Sequence, residues 1–563
     1  MHLADLPEAA ALLLGPGGAY ETVEEEIDGS TFRIFRHAPK TLGDLYQAAL
    51  EHADAEFYVF EDERYTFGEA WAIAQQVAAS LQQMGVKPGD RVGIALRNYP
   101  EWVWAFMGIT SMGAIAVAMN AWWTGEEMLY GIDDSGLGTI FVDGERLQTI
   151  QPYLDERSLD VVTIRAQEHN AARVQSWTAF LQLGSEFNPT LVEPDDPATL
   201  LYTSGSTAQP KGVVSTHRAT IHALLGWQAA AALAAAVAEQ PPPVSTHQPS
   251  MILTVPLFHV TGLNVQLLSS FRYARKLVGM YKWDADLALS IVEQERITQF
   301  NGVPTMAWEM VQSPNYAKHD LSSLLSMGGG GAAMAPEHSR QIADRSKGSV
   351  TPGTGYGMTE TNGLATAIGG PDLLERPLSC GRALAPIVDV KIVDHEGNEV
   401  PKGVSGEIWI HGAMNFTGYW NNPVETAATL TGGWVHTGDI GHLDEDDFLF
   451  ITDREKDMII RGGENIGCQE VEAIIYDHPN VSECAVFGVP DERLGEIVAA
   501  VVMPKPGAGL TAADVQSHVA EHAAKFKVPA HVWIQPEQLP RIASGKIFKR
   551  GLKTDAIARL RVD

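Results

Sequence analysis

The chain has 563 residues, of which 45% are hydrophobic and 20% charged, a length and mixture that exclude a single small domain, a disordered chain and a fibrous one. Its 70 acidic against 40 basic residues leave a formal charge of −30, which repels nucleic acid and anionic membrane over most of the surface and speaks against a nucleic-acid partner. The three cysteines, Cys380, Cys468 and Cys484, form no CxxC pair and no zinc-spaced cluster, as expected of a protein kept in a reducing cytoplasm.

The N-terminus, MHLADLPEAAALLLG, carries acids where a secretory signal needs lysine or arginine. Residues 41–81 show apolar spacing of helical period around a short strand-like stretch at 57–60, which predicts a packing lobe rather than chemistry. A strand at 91–96, an amphipathic helix at 101–112 and strands at 114–119, 138–142 and 161–165 follow, and this βαβ alternation predicts a parallel sheet covered by helices. A buried strand ending at Leu200 and Leu201 then breaks into YTSGSTAQPKGV, residues 202–213. Glycine lets backbone N–H groups converge there, hydroxyls add donors and Lys211 adds a mobile charge, a combination suited to phosphate. Taken alone the run also fits a Ser/Gly-rich surface loop, and it lacks the glycine before and the Ser/Thr after the lysine that a Walker loop requires.

Beyond it the pattern predicts an alanine-rich helix at 219–238, too short in its apolar tract to cross a membrane, then a buried strand at 251–257 that delivers Phe258 and His259 to its end. A second βα run through 276–280, 297–303 and 324–327 makes two consecutive parallel-sheet subdomains. After residue 383 short strands at 388–393, 406–410 and 447–452 form a β-rich lobe. A charged pivot, DREKD at 453–457, precedes a compact α/β unit with helices at 469–476 and 512–525 and strands at 482–489, 497–503 and 531–534. The fold class is therefore α/β: a large N-terminal domain of two parallel-sheet αβα subdomains plus a β-rich lobe, and a small α+β C-terminal lid. The expected boundaries are 1–453 for the domain, 454–457 for a hinge and 458–563 for the lid.

Four further stretches are richer in small, hydroxylated or charged residues than packing needs: GGGGAAM at 328–334, TGYGMTET at 354–361, WVHTGDI at 434–440 and PRIASGKIFKR at 540–550. Each alone also reads as close packing, a turn, an Asx cap or a solvated basic tail. In this order, however, they resemble the adenylate-forming superfamily of acyl-CoA synthetases, peptide-synthetase adenylation domains and beetle luciferases, over nearly the whole chain. The phosphate run is similar to YTSGTTGxPKG, YGMTE to YGxTE, HTGD to TGD, DREKDMIIRGGENI to GRxKDxIxxxGxNI, and PRIASGKI to PxxxxGK. Ala208 and Ser206 depart from the usual glycine and threonine of the phosphate loop, and Asp453 stands where many relatives have glycine.

The resemblance implies two half-reactions: a carboxylate attacks the α-phosphate of ATP and releases pyrophosphate, and a thiol then attacks the acyl-adenylate. It places Thr203, Ser204, Gly205, Ser206, Thr207 and Lys211 on the β- and γ-phosphates, Thr359 on the α-phosphate and Glu360 on Mg²⁺, a cation that prefers oxygen. Gly330, Gly331, Ala332, Tyr356 and Gly357 would form the adenine slot, with Asp439 and Arg454 at the ribose. Lys546 would stabilise charge during adenylation, His259 would stand between the carboxylate and an apolar acyl pocket, Gly462 and Gly463 would line the pantetheine channel, and Lys456 would be the hinge residue. The implied activity is an AMP-forming acyl-CoA synthetase for a fatty or similarly apolar acid, using ATP, Mg²⁺ and coenzyme A; a stand-alone enzyme loading a carrier protein is the alternative, and a homodimer is left open. The run 525–553, with seven basic residues against Glu537, predicts a cationic lid that gathers phosphates on an otherwise acidic protein.

Overall fold

The computed structural model describes residues 12–560 apart from 168–170, 204–208, 239–244, 455–456, 462–463 and 544. The first sheet has the strand order Gly418–Tyr419, Lys211–Thr216, Pro197–Thr203, Ile115–Ala118, Arg91–Ala95, Thr139–Asp143, Asp160–Ile164, Val174–Ser176. From Pro197–Thr203 onward the pairing is parallel. Its middle strands, such as IAVA and TIFVD, are buried along their whole length, as expected where helices cover both faces.

The second sheet runs parallel through Glu56–Phe60, Lys276–Gly279, Ser250–Leu253, Gln299–Gly302, Ser326–Gly330 and Thr351–Tyr356. It then turns antiparallel and continues through Thr366–Gly369, Ser379–Ala383, Leu449–Arg454, Trp434–Leu443, Gly406–His411 and Asp389–Val393. The β-rich lobe is thus the far end of the second subdomain's sheet. The strand-like stretch expected to be mere packing is a working member of that sheet, paired with Lys276–Gly279.

Helices Phe67–Gln83, Pro100–Ser111 and His217–Val237 contribute to one large core with Phe57, Tyr58, Trp102, Trp104, Phe106, Leu224 and Leu253. Local signals set their starts: Thr66 and Glu69 form a reciprocal capping box, and Pro100 occupies the first turn, where a missing N–H costs nothing. His217–Val237 is the one described helix long and apolar enough to cross a membrane. It buries Ile221, Ala223, Leu224 and Leu225 in the protein core.

The predicted strand at 251–257 is shorter than expected. It ends at Leu253, ahead of Pro256, which has no N–H to give, so His259 lies in a turn, followed by a π-helix at Thr261–Leu268. The hairpin Thr22–Ile27/Ser30–Phe35 and helix Gly125–Ser135 were not foreseen. Nor was the C-terminal helix Lys549–Leu560, whose apolar side chains Leu552 and Ala556 pack on Phe487 and Val501.

The C-terminal unit is a five-stranded sheet built on the long hairpin Val481–Asp491/Gly495–Pro504, with His531–Ile534 added in parallel. Helices Cys468–Asp477 and Ala512–His522 pack on it through Val471, Ile475, Val515 and Val519. Asp453, buried near the end of strand Leu449–Arg454, accepts from the backbone N–H of Cys468 at 2.6 Å, so the residue that replaces glycine caps the first helix of this unit. The unit docks on the body through Arg541–Glu309 at 3.1 Å, Gln538–Glu309 at 3.1 Å and Arg340–Asp477 at 3.1 Å. His338, stacked on Trp308, also meets Tyr476 edge-on.

Candidate active site

Thr203 and Lys211 face each other across the antiparallel pair Pro197–Thr203/Lys211–Thr216; Ser204, Gly205, Ser206, Thr207 and Ala208 lie outside the described residues. The Lys211 ammonium ion-pairs with Glu425 and lies 5.0 Å over the Tyr419 ring. The Tyr419 hydroxyl donates to Glu360 Oε1 at 2.7 Å. Glu360 and Thr359 share the single 3₁₀ turn Thr359–Thr361, closed by Asn362 at φ 53°. Asn264 of the π-helix donates to both the carbonyl and the side-chain oxygen of Asn362, which ties the turn to the core.

Burial lifts the pKa of Glu360 above the usual carboxylate range, opposed by the Tyr419 hydrogen bond and by the charges of Arg454 and Lys211. A buried carboxylate beside a phosphate-loop lysine fits a Mg²⁺ that arrives with nucleotide phosphates, since that cation takes one or two carboxylates and completes its shell from substrate and water. Among the described residues no group of three His, Cys, Asp or Glu could hold a metal by itself.

The glycine run ends strand Ser326–Gly330. A Cβ on Gly328 would sit 2.2 Å from the Gly353 carbonyl, so the two strands approach closely only because that residue is glycine. Gly331 adopts φ +79° and Ala332 is exposed beyond it. Tyr356, at the end of Thr351–Tyr356, donates its hydroxyl to Asp439 Oδ2 at 2.5 Å, and Gly357 follows directly. Asp439 is 7% exposed and pairs in register with Arg454, whose Nε lies 3.3 Å from Asp439 Oδ1. Burial raises the Asp439 carboxyl while Arg454 and the Tyr356 hydrogen bond hold it down. Burial and the Asp439 charge keep the Tyr356 phenol well above its ordinary range, so Tyr356 is the donor of this pair.

Lys546 reaches this centre from the C-terminal unit, on a turn where Ile542 and Lys546 bond through their backbones at 2.9 Å. A Cβ on Gly331 would lie 3.4 Å from Lys546 Nζ, so a side chain there would crowd the lysine as well as strain the backbone. Burial pulls the Lys546 pKa down to about 8, Arg454 adds to the fall and Asp439 opposes it. His259 is held neutral at a pKa of about 3 by burial and by the Lys546 charge. Its Nε2 is buried with no hydrogen-bond partner among the described residues. Lys546, Arg454, Asp439 and His259 therefore act on one another electrostatically, although they come from four separate stretches of sequence.

Other expectations fare differently. Gly462, Gly463 and Lys456 lie outside the described residues. The cationic lid is mostly neutralised: Lys527 pairs with Glu470, Arg541 with Glu309 and Glu483, Lys549 with Glu472 and Lys553 with Glu496, acids that come from elsewhere in the chain. Tyr419, Glu425 and Glu309 were missed altogether. Tyr419 follows a glycine in a short strand, and with Phe416 and Trp420 beside it in the sequence nothing there set it apart.

The sequence model of the AMP-binding enzyme family matches residues 45–420, and that of the AMP-binding enzyme C-terminal domain matches 470–546. The chain is 30% identical over 503 residues to 4-coumarate–CoA ligase 2 of Nicotiana tabacum, covering 88% of this chain and 90% of that one. It is 32% identical to the long-chain-fatty-acid–CoA ligase FadD13 of Mycobacterium tuberculosis (strain CDC 1551 / Oshkosh), covering 87% and 93%. Among solved structures, the anthranilate CoA ligase AuaEII in complex with anthranoyl-AMP superposes with a TM-score of 0.83 at 25% identity, over 92% of this chain and 98% of that one.

Proposed function

Since the chain belongs to the AMP-binding enzyme family and is an acid–thiol ligase of the acyl-CoA synthetase type, we propose that it activates a fatty or similarly apolar carboxylic acid with MgATP and passes the acyl group to coenzyme A. The observation that carries this reading is the seat of Lys546: a partly neutralised lysine from the C-terminal unit, against Gly331 and within electrostatic reach of Asp439, Arg454 and His259.

In the first half-reaction the acid's carboxylate oxygen attacks the α-phosphorus and pyrophosphate leaves. Thr203 and Lys211 hold the β- and γ-phosphates, together with Ser204, Gly205, Ser206 and Thr207, and Glu425 gives up Lys211 to them. Glu360 would hold the Mg²⁺ that accompanies the phosphates, a cation that would offset their negative charge, and Thr359 reaches the α-phosphate. Lys546 lies where negative charge accumulates on the α-phosphate and carboxylate oxygens, and a fixed cation in a water-poor site stabilises that charge strongly. Anions around Lys546 also restore its proton, which burial alone has loosened. The unpartnered Nε2 of neutral His259 faces no competitor within the chain for a polar atom of the bound acid.

Asp439 takes the ribose hydroxyls, with Tyr356 fixing its orientation and Gly330, Gly331, Ala332 and Gly357 flanking the base. Asp439→Ala raises the Michaelis constant for ATP about tenfold or more, in line with ~1.5 kcal/mol for a hydrogen bond to a charged partner, and leaves the fold intact. Initial rates against ATP, with circular dichroism on the same sample, check this.

The acyl pocket is assigned to Trp227, Val260 and Val265, whose side chains lie against Gly355 and Gly363 at 3.3–3.5 Å from where a Cβ would stand. These walls are apolar. For the second half-reaction residues 454–457 serve as the hinge, 458–563 as the moving lid and Gly462 and Gly463 as the pantetheine channel. Pyrophosphate release with acid but without CoA, then acyl-CoA on adding CoA, is the expected result. Straight-chain and aryl acids compared as rate per enzyme identify the tail. Acyl transfer to a holo carrier protein but not to free CoA would overturn the acceptor assignment.

A further inference from the structure

Two arginines at the end of helix Ser269–Tyr273 play no part in this chemistry. Arg275 is 6% exposed, and its guanidinium makes one side-chain hydrogen bond, Nη1 donating to Ser269 Oγ at 2.9 Å. Its Nε is buried without a partner among the described residues, and its Cζ lies 4.8 Å over the Tyr273 ring. Burial lowers its pKa to about 10, and the charge that opposes this comes from Tyr273, not from a carboxylate. Arg272 is exposed and donates Nε to Gln228 at 3.1 Å. The phenol of Tyr273 feels Arg275, Tyr20 and Arg272, and that of Tyr20 feels Arg272, so the four side chains share one neighbourhood.

Among the described residues no carboxylate comes within ion-pair distance of either arginine, and neither phenol is hydrogen-bonded within the chain. The contrast with the next residue is sharp: Lys276 pairs with both Glu56 and Glu295. Withdrawing a guanidinium from water without a counter-charge is unfavourable, and a chain with 70 acids has no shortage of counter-charges.

We propose that Tyr20, Arg272, Tyr273 and Arg275 form a binding site for a phosphate group, apart from the residues that would hold ATP. Two guanidinium forks and two hydroxyls offer more donors than the two oxygens of a carboxylate can use and suit the three oxygens of a phosphate monoester. The site adjoins in sequence both walls assigned to the acyl pocket: Ser269 follows the π-helix Thr261–Leu268 directly, and Gln228 follows Trp227. A bound phosphate would thus stiffen the pocket, a consequence that rests on the pocket assignment above, whereas binding itself does not.

The test titrates inorganic phosphate calorimetrically into the full-length protein with ATP saturating, so that the Lys211 loop does not compete. Wild type, Arg275→Met and Arg272→Met are compared. The expected result is one saturable phosphate site in wild type, weakened at least tenfold in each variant, with the Michaelis constant for ATP unchanged. Arg272 is exposed, so its variant keeps the test open if Arg275→Met does not fold. A parallel arm sediments the three proteins with phosphatidylcholine vesicles containing phosphatidic acid; arginine-dependent sedimentation without binding of free phosphate assigns the site to a lipid headgroup. No phosphate-dependent signal in either arm, or equal signals in wild type and both variants, overturns the proposal. Because the readout is binding rather than turnover, its failure is distinguishable from failure of the adenylation reading.

Discussion

Lys546→Ala lowers acid-dependent pyrophosphate release by about a hundredfold or more, the scale on which a single preorganised charge acts at a developing oxyanion, while sparing thioester formation from presynthesised acyl-adenylate. The split follows from position: the lysine sits among Gly331, Asp439 and Arg454, where charge builds only in the first half-reaction. Equal loss of both activities would mean that Lys546 is structural. The same geometry dictates a pH profile. Burial holds the Lys546 pKa at about 8 in the free protein; below that pH the charge is present, and above it the proton is lost. The kcat/KM for adenylation therefore declines on its alkaline side near 8, because that ratio reports the free enzyme. Lys546→Arg, whose guanidinium keeps its proton, removes this decline whatever it does to the maximal rate.

The second large effect is expected at the pivot. Proline at 456 fixes φ near roughly −65° and deletes an N–H, so a lid that must take two orientations is confined to one. Lys456→Pro keeps acid-dependent pyrophosphate exchange within about tenfold of wild type, roughly 1.4 kcal/mol, while acyl-CoA formation falls far more. Both rates measured on one preparation decide the matter. A parallel fall, or no fall in either, identifies a passive joint.

The parts of this site that were legible in the sequence are those that one short run supplies whole. Lys211, Glu360, Asp439 and Lys546 each stand in a stretch whose glycines and hydroxyls no core requires, and each was singled out from it. What escaped notice was the partner from afar: Glu425 lies 214 residues from Lys211, Glu309 lies 232 from Arg541, and Tyr419 lies 59 from Glu360. An acid on a surface helix looks the same whether or not a lysine will come to it. The cationic lid failed for the same reason, since its acids sit outside the run that was counted. In the fold, periodicity located several of the parallel strands to within a residue or two, as with Arg91–Ala95 and Thr139–Asp143, but ran the strand that starts at Ser250 four residues too far. It could not tell that Glu56–Phe60 joins the second sheet, because an apolar strand of that length carries no mark of its neighbour.

The joint between lid and body has its own consequence. Glu309 is shared by Trp283 of the body and by Gln538 and Arg541 of the lid, and Arg340 meets Asp477 across the same seam. Attractions between ions near a surface are screened over about 10 Å at 0.1 M salt, whereas the ring contacts of Trp308, His338 and Tyr476 are not. Dilute electrolyte therefore favours the docked unit, and concentrated electrolyte loosens it while leaving the aromatic contact in place. On the proposed alternation, the ionic strength of the medium becomes a dial on how long the enzyme dwells in each of its two tasks.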